Sequence, residues 1–85
     1  MRVGQVVFSK NGRDKGKPFI VLSTHDEYLY LADGKLRTIS KPKKKKFKHV
    51  QPTNYICDLQ IHCGRALQDA DIRKQLVLYL NNQLS

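Results

Sequence analysis

Residues 3–18 read Val3-Gly4-Gln5-Val6-Val7-Phe8-Ser9-Lys10-Asn11-Gly12-Arg13-Asp14-Lys15-Gly16-Lys17-Pro18, and Phe19-Ile20-Val21-Leu22 follow at once. The first seven residues are rich in β-branched and aromatic types, which suit a pleated, half-buried surface, so a strand is expected there. Two glycines and a proline punctuate the next segment, and strand character restarts at Phe19. Strand, basic turn, strand is the opening unit.

The same grammar continues along the chain. His25-Asp26 suits a two-residue reversal into Glu27-Tyr28-Leu29-Tyr30-Leu31-Ala32. Asp33-Gly34 tolerates positive φ and is the kind of dipeptide that closes a hairpin. Residues 35–40 are therefore expected to return antiparallel, and residues 47–50 to form a short fifth strand. Val6 and Phe8, Leu29 and Leu31, and Phe47 and His49 sit two apart, each pair on one face of its strand. Five short strands with turn signals between them predict a mainly β fold, a small antiparallel barrel of SH3-like size.

Near the end the period changes. Ile72, Leu76, Tyr79 and Leu80 recur at helical spacing and predict an amphipathic helix over about residues 69–82. With Gln68 at the N-cap, Leu67 and Ile72 fall at the two hydrophobic-staple positions; Asp69 is the alternative boundary. Asp69 and Asp71 lie in the first turn, where the helix dipole favours anions, and Asn81-Asn82 marks the expected end. A lone helix of this length is marginal in water, so it is expected to dock on the barrel or on a protein partner. The chain divides at this stage into a barrel over residues 1–53 and a linker with helix over residues 54–85.

Charge narrows the function. The chain has 85 residues, enough for one domain, and a formal net charge of +9. Residues 1–50 hold 13 basic groups against the four acids Asp14, Asp26, Glu27 and Asp33, while residues 51–85 balance to zero. A field concentrated in this way attracts polyanions, nucleic acid first among them. No segment approaches the ~20 apolar residues of a membrane span, and residues 1–5 carry no signal-peptide pattern. Two cysteines are too few for a disulfide scaffold and suit a reducing compartment, so a cytoplasmic protein is expected.

The strongest local feature is Lys41-Pro42-Lys43-Lys44-Lys45-Lys46-Phe47-Lys48-His49. Four consecutive lysines repel one another, and no core is expected from them. They gain most from phosphates, which replace condensed counterions. Pro42 keeps the approach extended. The plain alternative is a solvated lysine loop. The second feature is the loop of residues 10–17, where glycines allow close backbone approach and Lys10, Arg13, Lys15 and Lys17 are displayed with Asn11. Asp14 departs from that pattern and is expected to cap the turn. Its spacing is not that of a nucleotide-binding P-loop. Tyr28 and Tyr30 alternate with Leu29 and Leu31, so inward leucines leave the tyrosines outside, either to stack on unpaired bases or to form cross-strand pairs. Arg37, across the Asp33-Gly34 turn, extends the basic surface.

Cys57, Asp58, His62 and Cys63 raise a metal reading, but Cys-x5-Cys is a poor match to the usual zinc pairs. No metal, no cofactor and no catalytic constellation are expected, and the chain reads as a non-enzyme.

Residues 3–9 leading into Gly12-Arg13-Asp14-Lys15-Gly16-Lys17 resemble the KOW motif of ribosomal proteins and transcription elongation factors. Leu31-Ala32-Asp33-Gly34-Lys35-Leu36-Arg37, the lysine segment and His49-Val50-Gln51-Pro52-Thr53 narrow the likeness. Over about residues 2–53 the chain is similar to small bacterial KOW-domain RNA-binding proteins, related to large-subunit ribosomal proteins of archaea and eukaryotes. The resemblance implies an SH3-like barrel that binds RNA, ribosomal RNA above all. By position, Lys10, Asn11, Arg13, Lys15 and Lys17 match the KOW loop, and Lys43, Lys44, Lys45, Lys46 and Lys48 match the later basic segment. KOW motifs commonly carry another glycine where this chain has Phe19, so a different loop geometry is expected. The combined expectation is a monomeric RNA-binding module that grips backbone through Lys10, Asn11, Arg13, Lys15, Lys17, Arg37, Lys41, residues 43–46 and Lys48. The rival is an SH3-like protein-interaction module with an aromatic groove of Tyr28, Tyr30 and Tyr55.

Overall fold

In the strands Gln5–Ser9 (β1) and Pro18–His25 (β2), neighbouring apolar side chains are buried on opposite faces, which is why their apolar runs are unbroken. Val6, Ile20 and Ala32 belong to one core, with Phe8 and Leu22 packed against it. Val7, Phe19, Val21, Leu29 and Leu31 belong to the other. The computed structural model describes residues 1–59 and 66–84.

Three further strands complete the sheet: Tyr28–Ala32 (β3), Lys43–Lys46 (β4) and Val50–Ile56 (β5). A 3-10 turn, Phe47–His49, joins the last two. The order is β4-β3-β2-β1-β5 and every pairing is antiparallel, with β4 and β5 as its two edges. The fold is mainly β, one five-stranded sheet with a C-terminal helix. Pro52 sits on edge strand β5, where a missing N–H is tolerated. β5 runs to Ile56, past the boundary expected at residue 53.

Two expected strands fall elsewhere. Residues 35–40 do not return along β3; the strand that pairs there is the lysine run itself, with Tyr28 opposite Lys46 and Tyr30 opposite Lys44. Asp33 explains the difference. Its Oδ1 accepts the backbone N–H groups of Lys35 and Arg37 at 2.9 and 3.0 Å, which curls the chain where a hairpin needs it extended. Residues 47–49 form the 3-10 turn instead of a strand, and Phe47 packs against the second core. The reversal after β2 lies at Asp26-Glu27, one residue beyond the expected pair, with Asp26 at φ 54°. Phe19 is a buried β2 residue opposite Val7.

The helix Asp69–Leu84 (α1) covers the first core with Ile72, Leu76 and Tyr79. Leu80, expected on the same stripe, is 41% exposed, and the helix continues past Asn81-Asn82. Gln68 O accepts from Asp71 N and Ile72 N, and Asp71 Oδ2 accepts from Gln68 N at 2.9 Å. That is the return half of a capping box, supplied by an Asp where Glu is usual. Leu67 and Ile72 meet in the same core, as the staple positions require. The helix start is anchored on the β3–β4 loop: Asp69 Oδ1 accepts from Ile39 N at 2.8 Å, and Arg73 Nη1 donates to Gly34 O. Gly34 has φ 81°, and a Cβ there would lie 2.5 Å from Asp69 O and 2.7 Å from Arg73 Cγ. Glycine is what lets the helix sit so close.

Candidate nucleic-acid interface

Strand periodicity divides the lysine run into two pairs. Lys43 and Lys45 turn toward the loop of residues 10–17. Lys43 Nζ lies 2.9 Å from Asp14 Oδ2, and Lys45 Nζ donates to Asn11 O at 3.1 Å. Lys45 is only 8% exposed, which corrects the expectation that the run contributes nothing to the interior. Burial lowers its pKa, the neighbouring Lys43 pushes the same way, and Asp14 opposes them. Lys44 and Lys46 lie on the other side beside Tyr28. Lys44 Nζ is 4.3 Å and Lys46 Nζ 5.8 Å from the Tyr28 ring centroid, and Lys46 also reaches Glu27 Oε1 at 3.4 Å.

Asp14 joins the two basic segments. It is buried, and its carboxylate meets Lys43 and, at 4.0 Å, Arg37 Nη2. The Lys43 ammonium 2.9 Å away holds its pKa below 3.8 against the opposing effect of burial, and the charges of Arg37 and Lys17 add to the lowering. Its side chain reaches across to β4 instead of capping its own turn. Backbone bonds fix the rest of the loop: Gly16 N and Ser9 N pair with Ser9 O and Lys17 O, and Lys10 N donates to His49 O at 2.9 Å. Both loop glycines take positive φ, 76° at Gly12 and 82° at Gly16.

The clamp sets the loop against β4, which lies about 30 residues further along the chain. Lys10, Asn11, Arg13, Lys15 and Lys17 are exposed on the loop, Lys41 and Lys48 are exposed on either side of β4 in the chain, and Lys44 is exposed on the opposite face of that strand, beside Tyr28. Arg37, Lys43 and Lys46 are half-buried and ion-paired. Three of the four acids of this half are engaged, Asp14 with Lys43, Glu27 with Lys46, and Asp33 with the amides of its own loop, while Asp26 lies on the exposed turn 3.5 Å from His25.

The tyrosines do not gather. Leu29 and Leu31 are fully buried while Tyr28 and Tyr30 are half-buried on the opposite side of β3. Tyr55 is on β5, separated from β3 by both β2 and β1, and stands edge-on to Tyr79 at 5.2 Å, so the three-tyrosine groove is not assembled. Cys57 is buried, and burial pushes its thiol up to about 11. His62 and Cys63 lie outside the described residues.

The clamp at Asp14 escaped sequence reasoning, although a signal was present: Asp14 is the only acid in residues 1–25, set among five cations. Among the described residues, no helix is long and apolar enough to cross a membrane. No protein-family model and no curated protein matches this chain.

Proposed function

We propose that this chain is a non-catalytic RNA-binding module whose contact surface joins the loop of residues 10–17 to β4 and the 3-10 turn. The observation that carries the reading is the Asp14 clamp with Lys43 and Arg37, which sets two distant basic segments side by side. Burying one carboxylate among three cations orders the loop, and the charges of Lys10, Arg13, Lys15, Lys17, Lys44 and Lys48 stay outside it. Phosphate contacts supply affinity, and backbone shape more than base sequence selects the target. A surface braced by its own hydrogen bonds and ion pairs favours a structured RNA, because little ordering entropy is lost on binding. Five short antiparallel strands support the SH3-like, KOW-type barrel that residues 2–53 resemble. By that resemblance the target is ribosomal RNA; the two cysteines suit a cytoplasmic setting, and the module is read as a monomer.

The test is fluorescence anisotropy with a structured RNA and an equal-length DNA duplex over a range of salt. The double variant Lys44→Ala, Lys48→Ala removes two outer cations without touching the clamp. Preference for RNA, with a log–log salt slope flattened by roughly one per lysine removed, supports the reading. Equal, weak binding of both nucleic acids, or an unchanged slope, would sink it.

A further inference from the structure

A second surface lies on the far side of the Asp33-Gly34 turn. Here α1 and the β3–β4 loop leave a cleft of about 360 Å³, at the lower end of the ~300–1,000 Å³ range of ligand pockets. Its apolar lining is Pro18, Leu36, Leu76, Val77 and Leu80. Leu36 is 78% exposed, Val77 55% and Leu80 41%. Three large aliphatic groups held in water around one concavity form the kind of patch that marks a binding site. Lys17, Lys35 and Arg73 stand around it. Among the described residues the one acid in the lining is Asp33, whose Oδ1 accepts from two backbone amides.

We propose that this cleft docks an acidic, leucine-bearing peptide segment of a protein partner. The partner's aliphatic side chains enter between Leu36, Val77 and Leu80, and its carboxylates meet Lys17, Lys35 and Arg73. Charge complementarity selects this occupant. A second copy of the chain brings a +9 molecule and a like-charged rim against the first. A phosphate backbone gains nothing from an aliphatic floor, and a bilayer surface does not fill a concavity. The site is separate from the outer face of β4, so it stands whether or not that face binds RNA. Lys17 belongs to both the basic loop and the cleft, which places a bound segment beside the basic face.

The test uses full-length protein with labelled leucine and valine methyls and a fluorescent peptide in which leucines are spaced among glutamates. Saturable binding is expected, with the methyl signals of Leu36, Val77 and Leu80 shifting together. The exposed-site double variant Leu36→Ser, Val77→Ser should bind about tenfold more weakly, with an unchanged far-UV spectrum. Lys35→Glu should also weaken binding, while Lys44→Ala, Lys48→Ala leaves it intact, which separates this result from any failure of RNA binding. The proposal is overturned if no saturable binding occurs or the three methyls stay still. It is also overturned if a peptide with serines for leucines binds as well, since charge alone then suffices. Methyl shifts that follow protein concentration without peptide, or that need anionic vesicles instead, assign the cleft to another occupant and overturn it equally.

Discussion

Lys45 Nζ donates to Asn11 O from a side chain that is 8% exposed, whereas Lys44, its neighbour, stands in solvent above Tyr28. The same side chain therefore does different work at adjacent positions. Lys45→Ala should lower stability by about 1–3 kcal/mol in urea denaturation, through a lost charged hydrogen bond and lost packing of the stem. Lys44→Ala should stay within about 0.5 kcal/mol of the parent and act on RNA affinity instead. Asp14 gives the pH-dependent case. Its folded pKa is lowered, so its contribution is present above the unfolded value near 3.8 and is lost as pH falls through the folded value. Asp14→Asn should cost about 1–3 kcal/mol at neutral pH, and that difference should shrink toward zero in strong acid. Urea midpoints of the two proteins at pH 7 and well below pH 3 read both limbs. Cys57 has the opposite sense for an acid. With its thiol pushed up from 9.0 to about 11, stability should decline as pH rises through that interval.

The β3–β4 loop and α1 depend on one another at the scale of elements. The helix N-terminus holds Ile39 N through Asp69, and Arg73 holds Gly34 O. Two glycines with nearly the same φ separate backbone strain from docking. Gly16, at φ 82°, has no atoms within 4 Å of a built Cβ, while the same atom at Gly34 meets helix backbone. Gly16→Ala should cost only the left-handed penalty, about 1–2 kcal/mol. Gly34→Ala should cost distinctly more and displace the helix start, visible as a lower thermal midpoint and shifted methyl signals of Ile72. At the centre of the helix contact, Ile72→Ala should cost about 2–5 kcal/mol, because this side chain is fully buried in the sheet-facing core.

For the whole molecule, the proposed RNA binding implies that salt acts with opposite sign on folding and on binding. The net charge of +9 resides in residues 1–50, where repulsion among cations opposes the compact state. Raising salt from about 0.01 to 0.15 M shortens the Debye length from ~30 to ~8 Å, so the thermal midpoint of the free protein should rise. Over the same range RNA affinity should fall. With Lys10, Arg13, Lys15, Lys17, Lys41, Lys44 and Lys48 as the outer set, the log–log slope should not be steeper than about −6. Calorimetric melting and anisotropy in matched buffers test the pair, and a midpoint that drops with salt would count against charge crowding as the limit on stability.

Local pattern was enough for β1, β2, β3 and α1. β1 and β2 carry short runs of β-branched and aromatic residues, β3 alternates at period two, and α1 repeats near 3.6, and those patterns follow from backbone geometry whatever lies nearby. The two loops' glycines and the cap at Gln68 were legible for the same reason, since positive φ and capping involve only near neighbours. Tertiary structure alone decided that the lysine run is a strand. Nothing in residues 43–46 favours pairing by propensity; they pair because the β3 edge offers backbone partners and because Asp14 and Asn11 receive Lys43 and Lys45 from about 30 residues away. The same holds for Leu80, which matches the helical stripe yet falls beside a cleft, because the neighbouring loop does not cover it. The basic composition pointed to a polyanion from the sequence alone. Which lysines stand ready for it depends on long-range contacts that consume some of those charges and leave the others in water.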